Sequence, residues 1–362
     1  MIVRSAAKPA ASLGLEVNVK LQFSGPARYR TESVAMLCRT AAEVNLRRLL
    51  KGPRCASWNL AMEIGTKVLK RQLRAAFEMT DVAEARTYLD SVAIRSSALS
   101  KVSMVDVTQK NFKGTWFLPS NIEPGMLILY LHGGGYSFYP RSFYNNLAAL
   151  LALSSHSKLF SLDYRLSPEY MFPAQLEDAI HAYQWLLKNG ADPKTLCVLG
   201  DSAGGNLALV LLLSLRDSKL PLPCLAICLS PATDFQGTGA GVPINSEHDW
   251  ITQEMALRWA DWFCTPAARG DPLVSPVNAD LTRLPPIYIQ AGAFEILLPA
   301  IQEFAKRAGQ QGANVILETW PEMNHDFQAF GYDVPQSVDA LRRIGEIIAL
   351  QLARSTEQPA AT

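Results

Sequence analysis

The sequence predicts an α/β fold: a mainly parallel sheet covered on both faces by helices, with a helical appendage ahead of it. Three observations carry that expectation. From Lys101 onward, short apolar runs of strand length alternate with longer helical stretches. A glycine run, Gly133-Gly134-Gly135, follows His132 directly after one of those apolar strands. Finally, Gly200-Asp201-Ser202-Ala203-Gly204 lies between a buried-strand pattern and a long apolar, glycine-poor run, so a G-x-S-x-G sits in strand–turn–helix context.

Taken in order, the first hundred residues show no strand–helix alternation. The stretch up to about Tyr29 reads as loop or disorder. Helices are expected over Thr31 to Leu50, Trp58 to Phe77 and Val82 to Ser91, from apolar residues at mixed three- and four-residue spacing such as Leu60, Ile64, Val68, Leu69 and Leu73. Residues 1 to about 100 therefore read as an accessory layer, either a packing extension or a lid over a pocket.

The texture changes at Lys101. Strands are expected at Val102 to Val107, Phe112 to Leu118, Met126 to Leu131, Leu159 to Tyr164, Thr195 to Leu199, Cys224 to Leu229, Ile287 to Ala291 and Val315 to Thr319. Helices fall between them at Asn145 to Ser154, Ala174 to Leu187, Asn206 to Arg216 and Ile301 to Ala308, and Val338 to Leu352 closes the chain. Pro173 suits the first turn of its helix. The alternation breaks between Asp234 and about Asp271, where a glycine-rich loop and an aromatic-rich helix, Thr252 to Phe263, form an insertion at about 236–270. This organisation divides the chain into an N-terminal helical segment, 1–100, and a catalytic domain, 101–362.

The bulk properties narrow the class. The chain has 362 residues, 49% hydrophobic and 19% charged, with a formal net charge of +1. That is enough for one large core, and the balanced charge argues against nucleic acid as a partner. Its most apolar windows are too short for a bilayer span, and the N-terminus lacks a signal-peptide apolar run. The expectation is a cytoplasmic protein without stable membrane insertion. Six cysteines, at 38, 55, 197, 224, 228 and 264, read as free structural thiols. Cys224 and Cys228 stand four apart without a nearby histidine, a poor zinc pattern, so no metal is expected.

The chemistry-bearing residues follow from what acyl transfer requires. A serine at a sharp bend has its hydroxyl lifted above the carboxyl ends of the strands, with a helix N-terminus behind it. Consecutive glycines after a strand can turn N–H groups into a cavity to hold an oxyanion, each donor contributing about 3–4 kcal/mol. A phosphate cradle is the competing reading of such a run, but neither P-loop nor G-x-G-x-x-G spacing occurs.

Together these segments resemble the hormone-sensitive-lipase-like family of α/β-hydrolase esterases. The residues that carry the resemblance are His132-Gly-Gly-Gly135, Asp163-Tyr-Arg-Leu-Ser-Pro-Glu169 with Phe172-Pro-Ala174 and Glu177-Asp178-Ala179, Gly200-Asp-Ser-Ala-Gly-Gly-Asn206, Leu229-Ser-Pro231 with Asp234, and Asn324-His325-Asp326-Phe327. They run in family order over about two-thirds of the chain, from Val105 onward; residues 1 to about 100 match only loosely, as part of a variable helical cap. The resemblance implies an α/β-hydrolase fold with an eight-stranded, mainly parallel sheet. It also implies Ser202 as nucleophile, His325 as general base, and an oxyanion hole built from the N–H groups of Gly133, Gly134 and Ala203. His132 is then a structural residue of the glycine loop.

The acid departs from the commonest family pattern, an Asp-x-Leu-x-Asp run. Here Glu295 stands at the triad position and Pro299 replaces the second acid. Glutamate can still accept the imidazole N–H and fix its tautomer. Glu318, Glu322 and Asp326 are rivals by proximity in sequence. Glu318 falls in the last expected strand, and Asp326 is too close a neighbour of His325 to reach its Nδ1 readily.

The expected activity is hydrolysis of short- to medium-chain acyl esters of small molecules through an acyl-enzyme, without cofactor. A lactone or natural-product ester is an alternative substrate. A different class is a non-catalytic small-molecule receptor on the same fold, and a peptidase is a third. Tyr136 and Phe138 are candidates for substrate contact, with Tyr139, Trp250, Trp259 and Trp262 as further pocket-wall candidates. The edge of the final strand is a candidate homodimer contact, because relatives often dimerise there.

Overall fold

The computed structural model describes residues 19–357, except 121, 123–124, 140 and 238–245. The expectation of loop or disorder before residue 19, and most of the glycine-rich loop of the insertion, lie outside the described residues.

The chain from residue 102 onward forms an eight-stranded sheet. In chain order its strands are β3 (Val102–Thr108), β4 (Lys113–Pro119), β5 (Leu127–Leu131), β6 (Lys158–Asp163), β7 (Leu196–Asp201), β8 (Leu225–Leu229), β9 (Ile287–Gly292) and β10 (Val315–Trp320), numbered to follow two strands of the N-terminal layer given below. Their order across the sheet is β10-β9-β8-β7-β5-β6-β4-β3. Every pair from β10 to β6 is parallel, while β4 and β3 complete the other edge in antiparallel pairing. The mainly parallel, eight-stranded α/β-hydrolase expectation therefore holds.

The parallel strands are apolar on both sides because both sides are covered, and their residues alternate between two cores. On β5, Leu129 and Leu131 join one core while Ile128 and Tyr130 join the other. On β7, Leu196 and Val198 divide from Cys197 and Leu199 in the same way. The first core is closed by α5 (Ala174–Lys188), α6 (Ser202–Asp217) and α8 (Leu298–Gln310). The second is closed by α4 (Asn145–Ser155) and α9 (Pro335–Glu357). Helix α6 is buried around almost its whole circumference, which explains why its sequence is apolar without an amphipathic stripe.

The N-terminal layer contains α1 (Ala27–Lys51), α2 (Leu60–Glu78) and α3 (Val82–Leu89), close to the expected bounds. Side-chain caps set two of the starts: Asn59 accepts from the Met62 N–H, and Asp81 from the Ala83 N–H. One expectation needs correction. The layer is not free of strands, since β1 (Val19–Phe23) pairs antiparallel with β2 (Val92–Ser96). That pairing spans three helices, so no hairpin turn marks it in the sequence.

Tyr29, Leu73, Phe77 and Tyr88 of this layer belong to the same apolar cluster as the β5 and α4 side chains, so the layer shares a continuous core with the sheet. Helix α7 (Gln253–Phe263), from the insertion, meets the same layer. The Phe77 ring stacks on Trp262 at 5.5 Å and meets Trp259 edge-on at 5.1 Å, with Phe138 in the same cluster. Two segments far apart in sequence thus join through aromatic contacts beside the glycine loop. Among the described residues no helix is long and apolar enough to cross a membrane.

Candidate active site

The bend at the end of β7 is as tight as its sequence suggests. Ser202 has φ +52°, a left-handed conformation that L-residues adopt at a cost of about 1–3 kcal/mol. Close backbone approach enforces small residues on either side. A methyl on Gly204 would lie 2.0 Å from the Leu131 carbonyl oxygen, and one on Gly200 would lie 2.1 Å from the Gly204 carbonyl oxygen. Helix α6 starts at Ser202 itself, four residues earlier than its sequence pattern indicates. The Ala203 N–H therefore falls in the first turn, where no i−4 carbonyl is available to it.

The glycine loop crosses directly in front of the serine. A methyl on Gly133 would approach the Ser202 Cβ to 3.1 Å. Gly134 has φ +96°, which a side chain would resist, and its carbonyl accepts the N–H groups of Ser137 and Phe138. His132 braces this loop. Its ring stacks on Tyr164 at 4.2 Å and on Tyr144 at 5.1 Å, while the Tyr164 hydroxyl donates to the His132 carbonyl. From α3, the Arg86 guanidinium donates to the carbonyls of Ser137 and Ser167 and makes a two-point pair with Glu169.

His325 follows β10 and is fully buried. Its Nε2 lies 2.9 Å from the Ser202 Oγ. Its Nδ1 lies 3.3 Å from Glu295 Oε2, an ion-pair approach too skewed to form a linear hydrogen bond. Such contacts commonly tighten only when a reactant is bound. The rivals of Glu295 separate clearly. Glu318 is engaged by the Tyr288 hydroxyl and Arg343, and Glu322 accepts the Ser57 N–H. Asp326 does approach the imidazole, but at Nε2, 3.2 Å away.

Burial and charge oppose each other in this cluster. Burial pushes the Glu295 carboxyl up to about 7, against the pull of His325. Burial alone would lower His325, but Asp326 first and Glu295 next outweigh it and hold the imidazole well above its ordinary value. Asp201, fully buried beside the serine, is raised well above the usual carboxylate range by burial and then by Asp326.

A cavity of ≈ 140 Å³ opens onto Ser202, lined among others by Ala232, Phe235, Ile251, Ala256, Trp259 and Ala300. Trp259 is thus where a pocket-wall residue was expected. Tyr136 and Phe138 are not. Tyr136 is fully buried, stacked on Phe263 at 4.0 Å with its hydroxyl on Asn206, and Phe138 is fully buried in the Phe77–Trp259–Trp262 cluster. Both support the loop from behind and leave the cavity wall to other side chains. Sequence reasoning missed the alanines, Ile251 and Phe235, whose types carry no signal of a pocket. Among the described residues no group of three His, Cys, Asp or Glu side chains is arranged to hold a metal ion.

Comparison with known proteins gives the family. The alpha/beta hydrolase fold family matches residues 128–329. This chain belongs to that family. Solved structures of bacterial hormone-sensitive-lipase-family esterases are among those it resembles. An acetyl-hydrolase of Streptomyces hygroscopicus is 34% identical over 243 residues, which span 67% of this chain and 81% of the relative. An esterase of Acinetobacter venetianus is 33% identical, covering 61% and 73% respectively. Among solved structures, EstE5 soaked with p-nitrophenyl butyrate superposes on this α/β-hydrolase with a TM-score of 0.76 and 32% identity, over 82% of this chain and 100% of that one. An esterase from the bacterial hormone-sensitive lipase family gives 0.69 at 28% identity, over 91% and 100%.

Proposed function

We propose that this α/β-hydrolase is a carboxylic ester hydrolase for short- to medium-chain acyl esters, working through a Ser202–His325–Glu295 triad. The observation that carries the reading is one imidazole spanning two partners, with Ser202 Oγ 2.9 Å from Nε2 and Glu295 3.3 Å from Nδ1. The esterase and acetyl-hydrolase relatives support the reaction class.

His325 Nε2 takes the Ser202 proton as Oγ bonds to the ester carbonyl carbon, whose oxygen becomes an oxyanion facing the N–H groups of Gly133, Gly134 and Ala203. Collapse breaks the bond to the alcohol oxygen, which leaves with the proton from His325. Water then repeats the addition, with His325 as base, and releases the carboxylic acid and free Ser202. Glu295 orients the imidazole and stabilises its charged form. The acyl chain lies in the alanine-lined cavity, with α7 and the N-terminal helices as its lid. The six free thiols fit a reducing, cytoplasmic location. A homodimer through β10, an edge strand with Ile316 partly exposed, is the assembly we propose.

The test is turnover of p-nitrophenyl acetate, butyrate, octanoate and dodecanoate by wild type and Ser202→Ala. Turnover of the shorter esters that disappears in Ser202→Ala supports the reading. A folded wild type inert on all four overturns it and favours a receptor role.

A further inference from the structure

His325 is held by more than its triad partners. Its main chain is gripped from both sides by two consecutive residues of the insertion. The Asp249 carboxylate accepts the His325 N–H at 3.2 Å through Oδ1, and the Trp250 indole donates to the His325 carbonyl at 2.7 Å. The other Asp249 oxygen, Oδ2, accepts the N–H of Ile296 at 2.9 Å, the residue immediately after Glu295. A third N–H, that of Trp250, closes on Oδ1 at 2.8 Å. Asp249 is fully buried, and Lys70 of α2 donates to its carbonyl at 2.8 Å.

A buried carboxylate is costly unless its oxygens are satisfied, and here they are satisfied by the two loops that carry the base and the acid. Those loops follow different strands, β10 and β9, and no hydrogen bond between the Glu295 and His325 side chains locks them together. We propose that Asp249 is a positioning residue that sets the distance between Glu295 and His325 by bridging their backbones, so that the insertion completes the catalytic geometry. The neighbouring charges on His325 are Asp326, Glu295 and Asp249, with Asp201 behind Asp326, and Lys70 faces Asp249 from the N-terminal layer.

This inference rests on the triad reading, and its test separates the two. Asp249→Asn keeps the shape but turns an amide NH2 toward one of the N–H groups, so one bridge is lost. Wild type, Asp249→Asn and Ser202→Ala are compared in p-nitrophenyl butyrate turnover across pH, in phosphonylation of Ser202 by an alkyl fluorophosphonate, and in thermal melting. The expected result for Asp249→Asn is a fall in kcat on the order of 10²-fold, as for a displacement of ~1 Å, with KM nearly unchanged and slower phosphonylation. The acidic limb of kcat/KM also moves to lower pH, since a negative charge near the imidazole is removed. Lys70→Met gives a smaller fall in kcat, with the acidic limb moving slightly to higher pH, since a positive charge beside Asp249 is removed. Wild-type rates in Asp249→Asn overturn the positioning role while leaving the triad intact. A rise in KM with unmoved pH profile and lowered melting shows a merely structural role and also overturns it. A wild type that neither turns over the ester nor reacts with the fluorophosphonate fails the triad reading itself.

Discussion

Asp326 Oδ2 lies 3.2 Å from His325 Nε2, the same nitrogen that meets Ser202 Oγ at 2.9 Å. One imidazole nitrogen thus faces the Ser202 hydroxyl and a buried carboxylate together. Asp326 holds this position through a left-handed backbone, φ +49°, with its N–H on the Ser230 hydroxyl.

That relationship sets a pH dependence. A carboxylate beside Nε2 favours the charged imidazolium and so raises its pKa. Catalysis needs the neutral ring, so kcat/KM climbs as pH rises through the His325 pKa, which lies above the ordinary 6.5. Asp326→Asn removes the charge, and the acidic limb is expected to move to lower pH in a pH–rate profile. An unmoved limb would show that the Asp326 side chain does not set the His325 pKa.

Glu295 carries a separate prediction. Glu295→Gln presents an amide donor to Nδ1 and disfavours the productive tautomer, so kcat is expected to fall ~10²–10⁴-fold with KM little changed. Steady-state kinetics on p-nitrophenyl butyrate measures it. Near-normal turnover would show that Glu295 is not the triad acid.

Acyl-chain preference is expected to follow the cavity wall. Ala256 and Ala300 line the space in front of Ser202. Ala256→Phe fills that space, so the octanoate-to-acetate ratio of kcat/KM is expected to drop by about 10–100-fold. A ratio within twofold of wild type would place the acyl chain elsewhere.

Two glycines give opposite stability outcomes. A methyl on Gly204 meets two backbone carbonyl oxygens, at 2.0 and 2.5 Å, that cannot swing away. Gly204→Ala is expected to destabilise by about 3 kcal/mol or more. Gly309, near the end of α8, has nothing within 4 Å of an added methyl. Gly309→Ala is expected to stabilise by about 0.5 kcal/mol through lost unfolded-state entropy. Thermal or denaturant melts compare the pair.

What the chain's own text determined is what local rules control. Apolar runs of strand length fall at β5, β7, β8 and β9 because those strands are buried on both faces, and Gly200-Asp-Ser-Ala-Gly204 marks a bend that only glycines can flank. The order Ser202, Glu295, His325 was legible only through the resemblance of the surrounding motifs to a known family. Tertiary structure alone decided the rest. The pairing of β1 with β2 joins segments some seventy residues apart, without a turn to announce it. Tyr136 and Phe138 adjoin the glycines in sequence, yet the chain's turn at Gly134 sends both rings into the core. Asp249 and Trp250 belong to no motif; they grip His325 only because the insertion folds back over β9 and β10. Periodicity reports which side of an element is buried, whereas the partner across a gap is chosen by packing between distant segments, and no short stretch of sequence encodes it.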